Sequence, residues 1–357
     1  MSRLFRHIAH VVMSGIILTL AGCAYDDTVR ELREQPTGNE SLAIAFSNGI
    51  IDNPVKIRTR AVTLLSEHSS TMGVWGWQTT PEGVTERLFL NQEITFSPLE
   101  AKWTYDPIKY WESRSTYRFY AYAPHSGSYP GVTATIDSIT HAISIKGVTL
   151  QGSNSIDSGV PAPPANFSRV ADADWMLDRT GQSMAGMNHS EVTFNMQHIL
   201  AKLCIRVRRS STFLPDSLAH MAIDSLKIGS FICQGDFVQS LSSNLEDLAH
   251  EWTVVDTLPR YNIISARNVS IPDSAVYILE SLLIPQGTNS SQNIHVWYSI
   301  GSANHMHSVF SLNDLFSGFA SSKNYVITIT IGPDPIQFSA GVMNWDSRNE
   351  TRQINQE

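Results

Sequence analysis

Three groups of side chains in this sequence are of types that do chemistry, and their spacing decides what each can do. His295, His305 and His307 lie close together. On a strand, His305 and His307 share a face, which is the start of a zinc site. No cysteine or carboxylate completes a zinc spacing there, so no metal is expected. Asp172, Asp174 and Asp178 resemble part of a calcium loop. They lack the glycine and the terminal glutamate of that pattern, so a capped turn is the better reading. His198 stands alone and is read as a structural histidine with a satisfied ring. No Gly-x-Ser-x-Gly elbow, His-Glu-x-x-His or phosphate loop occurs. The chain is therefore expected to be no enzyme and to carry no cofactor.

The third group is a single thiol, Cys23. Arg3 and Arg6 precede an apolar run from Ile8 to Leu20, too short to span a bilayer as a permanent helix. Leu20-Ala21-Gly22-Cys23 resembles the lipobox of bacterial lipoproteins, which is cut before the cysteine and acylated on its sulfur. Residues 1–22 are then a signal peptide, and the mature chain is held by outer-membrane lipid through acylated Cys23. Each buried methylene adds about 0.8 kcal/mol, so two or three acyl chains anchor stably. The alternative is an ordinary secretory signal that contains a cysteine, and either way the chain is exported. Asp26 and Asp27 form an acidic pair of the kind that goes with display on the cell surface. Residues 23–40 are polar and are read as a lipidated flexible tether.

The net charge is −8, and removing Arg3 and Arg6 makes it more acidic. That excludes nucleic acid as a partner, because phosphate binding needs clustered Lys and Arg. Cys204 and Cys233 sit in apolar runs and are open to two readings, a bridge in an oxidising compartment or two buried thiols.

The elements that position these residues are strands. Tyr117, Phe119, Ala121 and Ala123 alternate with Arg118, Tyr120 and Tyr122. The same alternation runs from Ile294 to Ile300 and from Tyr325 to Ile331. Period-2 patterns bounded by Gly, Pro, Asn, Asp and Ser predict an all-β, antiparallel sandwich architecture. Val192, Phe194 and Met196 share one parity and Leu203, Ile205 and Val207 the other, which predicts a bulge or kink within His198 to Lys202, or a short helix. Gly152 to Ser168 is expected to be a long loop, and Ala171 to Asn188 largely irregular. The length predicts two domains, 41–188 and 189–357.

Several segments together resemble the fimbrillin family of Bacteroidales, lipoprotein pilins and pilin-like surface proteins. They are Met72-Gly73-Val74-Trp75-Gly76-Trp77, Lys109-Tyr110-Trp111, and Tyr117-Arg118-Phe119-Tyr120-Ala121-Tyr122-Ala123-Pro124. Further on come Asp174 to Leu177, His198-Ile199-Leu200-Ala201-Lys202-Leu203, Leu282-Leu283-Ile284-Pro285-Gln286, and Tyr325 to Trp345. The resemblance implies two tandem transthyretin-like β-sandwich domains. It also implies assembly by strand exchange, in which an arginine-specific protease removes a first strand and another subunit supplies its replacement. Six Asp-Ser or Asp-Thr steps, such as Asp137-Ser138-Ile139, resemble the O-glycosylation sequon of the same bacteria.

Leu42, Ile44 and Phe46 alternate with Ala43 and Ala45, so Ser41 to Ser47 is the candidate removable strand. Arg60 is the first choice for processing and Arg58 the second, against the alternative that both are solvated loop arginines. The tail after Trp345 carries only Ile354 as an apolar residue, which suits an accessory or tip-like subunit better than a strand donor. The expected partners are other pilus subunits, the outer-membrane lipid, and a host or bacterial surface ligand. The competing reading is a glycan-binding surface lipoprotein of a polysaccharide-uptake system, with Trp75, Trp77 and Trp111 as contacts; core packing is the simpler role for these rings. A third is an exported hydrolase with no visible motif.

Overall fold

The computed structural model describes residues 42–51, 64–150, 172–211, 221–241, 250–256, 261–265, 269–301, 303–332 and 336–345. Those from Ile44 onward belong to one compact unit, and Leu42 and Ala43 to the unit before it. Cys23, Arg58, Arg60, the stretch Gly152 to Ser168 and the tail after Trp345 lie outside the described residues.

The described chain is almost entirely β-structure. The largest sheet has eight strands, in the order Ile50–Ile51, Asn195–His198, Met176–Asp178, Thr116–Ala123, Thr71–Thr79, Thr85–Ser97 and Lys102–Thr104, with Gln182–Ala185 also pairing Thr116–Ala123. A four-stranded sheet packs over one of its faces. It runs Trp252–Val254, Gln234–Val238, Ile143–Thr149, Thr133–Ile136, so main-chain pairing joins strands from either side of Asn188. A second sandwich is built from two sheets. One runs Val276–Leu283, Ala201–Arg209, Lys323–Ile331, Gln337–Asn344. The other runs Tyr261–Ser265, Met221–Phe231, Asn293–Ile300, Ala303–Ser311, with Val269–Ser270 alongside Met221–Phe231. Antiparallel pairing dominates, but Ile50–Ile51 runs parallel to Asn195–His198, and Ala201–Arg209 parallel to Lys323–Ile331.

The alternating patterns become faces. In Asn293–Ile300, Ile294, Val296 and Tyr298 are buried, while His295, Trp297 and Ser299 are only partly covered. Thr116–Ala123 is covered on both sides. Tyr117, Phe119, Ala121 and Ala123 enter one apolar core with Phe46, Phe89 and Phe194. Tyr120 and Tyr122 enter another with Trp175, Ile145 and Phe237. Burying such a side chain contributes about 1.5–3 kcal/mol, so the sequence pattern is also the main driving force. The second sandwich closes over Leu203, Ile205, Val207, Ile223, Ile228, Ile294 and Val296.

The parity switch has a different cause from the predicted bulge. Asn195–His198 pairs with Met176–Asp178 in the first sheet. After Ile199 and Leu200, Ala201–Arg209 pairs with Val276–Leu283 and Lys323–Ile331 in another sheet. The chain changes sheets at a two-residue break, and each half faces its own core. Within the stretch expected to be irregular, the described residues 172–188 are more ordered than their sequence suggests, with strands at Met176–Asp178 and Gln182–Ala185. Each is too short for a period to show.

Candidate functional site

The edge of the first sheet is completed by the segment Ile44 to Ile51, which contains two of the three predicted strand residues. The Ile44 amide donates to the Lys109 carbonyl at 2.8 Å, and the Val192 amide donates to the Ala45 carbonyl at 2.8 Å. The amides of Ser47 and Ile50 donate to the carbonyls of Val192 and Phe194, both at 3.0 Å. Phe46 forms a parallel bridge with Val192, and Ile50–Ile51 continues in parallel with Asn195 and Met196. Extended backbone turns alternate residues inward. Ile44 is 1% exposed and Phe46 3%, with Ile51 buried further along. Leu42 is partly buried.

Phe46 is the centre of this contact. Its ring meets Phe89 at 5.7 Å, Tyr105 at 5.6 Å and Phe119 at 6.0 Å edge-on, and stacks on Phe194 at 5.9 Å. The Tyr105 hydroxyl donates to the Ile44 carbonyl at 2.7 Å. Burial pushes the Tyr105 phenol up to about 12, so it stays a donor at any physiological pH. Beyond the segment, Asn48 Nδ2 donates to Ser66 Oγ at 2.6 Å and the Leu65 amide to the Gly49 carbonyl at 2.8 Å. The segment therefore supplies both main-chain pairing and side-chain filling at a sheet edge. A groove left by its removal would expose apolar residues and unpaired backbone groups.

The tryptophans divide. Trp75 is 2% exposed and stacks on Tyr122 at 5.1 Å. Trp111 is 6% exposed and meets Tyr117 edge-on at 4.7 Å. Neither offers a free face to a sugar, because neighbouring rings of the sandwich occupy it. Trp77 is half-buried, with the Arg87 guanidinium 5.4 Å from its centroid and His141 at 4.8 Å.

The remaining candidates are structural. Asp178 Oδ1 accepts from the amides of Thr180 and Gly181, each at 3.0 Å, and Oδ2 from the Asn195 amide at 3.0 Å, so it organises a turn. His198 is fully buried, with Nδ1 2.9 Å from Asp174 Oδ1 and its ring stacked on Trp345 at 4.0 Å. Lys202 Nζ lies 4.9 Å from the same indole. Trp345 thus ties the end of the last strand to the point where the chain changes sheets. Sequence reasoning missed a buried ion pair. Arg179 donates to both carboxylate oxygens of Glu251, at 2.5 and 2.7 Å, and Glu251 Oε1 also accepts from the Ser240 amide at 2.8 Å. Two charged residues so far apart in sequence leave no local trace. Cys204 is buried and Cys233 half-buried, and they are not bridged. Among the described residues no three His, Cys, Asp or Glu side chains gather to hold a metal, and no helix is long and apolar enough to cross a membrane. Of the three histidines clustered in sequence, His295 and His307 meet; the His305 side chain lies outside the described residues.

The described residues form an all-β fold in which the segment Ile44 to Ile51 completes the edge of the first sheet. Residues 59–345 match the fimbrillin-like family, and the chain belongs to that family. The match begins after the edge segment. Its fold is similar to that of a fimbrial protein from Bacteroides vulgatus, with 13% identity, a TM-score of 0.52, and 85% of this chain and 99% of that one covered. It is also similar to a protein from Bacteroides uniformis provisionally assigned to cell adhesion, with 16% identity, a TM-score of 0.51, and 87% and 100% covered. The tip fimbrial protein Mfa3 from Porphyromonas gingivalis, truncated at its C-terminus, aligns at 9% identity and a TM-score of 0.35, covering 78% and 95%. No curated protein matches.

Proposed function

We propose that this chain is a surface-displayed fimbrillin-like lipoprotein, an accessory or tip-like pilus subunit that assembles by donor-strand exchange and takes part in adhesion. It is anchored in the outer membrane through acylated Cys23 and is built of two tandem transthyretin-like sandwiches, the second opening at Ala201–Arg209, with Gln234–Val238 and Trp252–Val254 returning to the first. Cleavage after Arg60, or after Arg58, releases the segment Leu42, Ile44, Phe46 and the residues up to the cut. A strand from another subunit then fills the vacated groove with alternate apolar side chains and main-chain hydrogen bonds. The observation that carries this reading is the seating of Ile44 and Phe46 in the first core, at the end of a sheet and with few main-chain bonds. The test is limited digestion of the folded, delipidated chain with an arginine-specific protease, followed by N-terminal sequencing and unheated electrophoresis. A cut after Arg58 or Arg60 with a ladder of multimers supports exchange among copies. A cut without a ladder supports an accepting subunit. A chain that stays uncut and monomeric overturns the proposal.

One observation favours a second reading, a glycan-binding lipoprotein of a polysaccharide-uptake system. Of the three candidate rings only Trp77 keeps part of its surface exposed, Trp75 and Trp111 being buried. Retardation in polysaccharide gels, lost in Trp77→Ala, would support it.

A further inference from the structure

The second sandwich carries an unusual arrangement of three rings on two neighbouring strands. In the pairing of Asn293–Ile300 with Ala303–Ser311, Trp297 stands opposite His307, and His295 opposite Val309. His295 and His307 are thus a diagonal cross-strand pair, within reach of side chains of this length. His295 Nδ1 lies 3.3 Å from His307 Nε2. The two ring centroids are 5.5 Å apart and the planes differ by 10°. That combination fits rings meeting edge to edge in one layer, since face-stacked rings would not bring these two nitrogens together at such a centroid distance. Trp297 forms the layer beside them, 4.6 Å from His307 at 8° and 5.7 Å from His295 at 15°. His307 is exposed and His295 half-buried, so the pair is open to solvent on one side.

The nitrogen separation is informative. An N–H hydrogen bond prefers about 2.9–3.0 Å, and this pair is longer. A tetrahedral metal with bonds of about 2.0–2.1 Å to imidazole nitrogen spans two ligands by roughly 3.3–3.4 Å. The pair is already at that span, and a regular two-stranded ladder holds it. Lys227 pairs opposite His295 on the other neighbouring strand, and its charge works against a bound cation.

We propose that His295 and His307 form a two-histidine site for a borderline transition-metal dication, Zn2+, Ni2+ or Cu2+, with water in the remaining positions. Both ligands enter as neutral imidazoles, His295 through Nδ1 and His307 through Nε2. The proton that one of these nitrogens carries in the unligated pair moves to the remote nitrogen of the same ring, so no net proton is released. With two protein ligands and an opposing lysine, the Kd is on the order of 10 μM, far weaker than a four-ligand structural zinc site. Affinity follows Cu2+ above Ni2+ and Zn2+.

Isothermal titration of ZnCl2 into the full chain, purified without a polyhistidine tag, tests this. One site is expected, weakened at least tenfold in H307Q and in H295Q and unchanged in H250Q, a substitution of an exposed histidine elsewhere. Circular dichroism of each variant checks that the fold is retained. NiCl2 gives an independent readout on the unaltered site, because a paramagnetic ion beside Trp297 quenches its emission. The saturable quench should be smaller in W297F while zinc binding persists. No heat up to about a hundred times the expected Kd, or binding that survives in the H295Q/H307Q double variant, would overturn the proposal.

Discussion

Replacing Phe46 by alanine should detach the N-terminal segment before it unfolds the protein. The ring is almost fully buried and touches four aromatic neighbours, so its loss should cost about 3–5 kcal/mol. Outside the short ladder at Ile50–Ile51, the segment's main-chain bonds to the sheet involve Ile44, Ala45, Ser47 and Ile50, and each is worth about 0.5–1.5 kcal/mol net. One side chain therefore rivals all of those bonds together. Loss of Phe46 should tilt the balance locally, since edge elements open with less free energy than the core. Hydrogen exchange read by mass spectrometry is the assay. The amides of Ile44, Ser47 and Ile50 should exchange about a hundredfold faster or more, at roughly 1.4 kcal/mol per decade. The central strands Thr71–Thr79 and Thr116–Ala123 should keep most of their protection. Leu99→Ala, at a residue 99% exposed, is the control and should change stability by less than about 0.5 kcal/mol. If Phe46→Ala behaves like Leu99→Ala, the segment is not held by its side chains and the reasoning fails.

Three further outcomes follow from the same structure. Tyr105→Phe removes the bond to the Ile44 carbonyl and should cost about 0.5–1.5 kcal/mol in urea unfolding, while in the native chain the Tyr105 phenol, pushed up to about 12, should stay protonated at pH 10 in an alkaline ultraviolet titration compared with that variant. Glu251→Ala leaves the Arg179 guanidinium, 5.9 Å from the Phe237 ring centroid, without its carboxylate and should cost about 3–5 kcal/mol by denaturant melt, with little dependence on salt because the pair is buried. Burial and the Arg118 charge lower the pKa of His141, and burial, His307 and Lys227 lower that of His295. The unfolded chain then binds more protons than the folded one near pH 6.5, so their stabilising contribution is complete above that pH and falls as the pH drops below it. Thermal midpoints from pH 8 down to pH 5 should show this decline, and it should be shallower in the H141Q/H295Q variant.

How much of this was legible in the sequence depended on the range of the interaction. Strands such as Asn293–Ile300 announced themselves because one face is wet and the other dry, which writes a period of two into the residues. The parity switch around His198 was equally visible, but a bulge and a change of sheet leave the same mark on the sequence. Only the partners distinguish them, Met176–Asp178 before the break and Val276–Leu283 after it. Asp178 was correctly read as a turn residue because its acceptors serve Thr180 and Gly181 close by. The Arg179–Glu251 pair and the stack of His198 on Trp345 were invisible, since nothing local requires the partner. The Gly73-Val74 step was noticed only through resemblance. Its reason is spatial, as a Cβ at Gly73 would stand 2.2 Å from the Tyr122 ring.

The central claim is that a strand at the edge of the first sheet can be exchanged. A chain beginning at Ala61 should be titrated with a synthetic peptide spanning Ser41 to Ile51, with thermal midpoint and binding heat followed together. The shortened chain should be less stable than the full one and should recover stability as the peptide saturates it. The same peptide carrying Phe46→Ala should bind at least a hundredfold more weakly. A shortened chain that melts with the full-length protein and ignores the peptide would contradict the account.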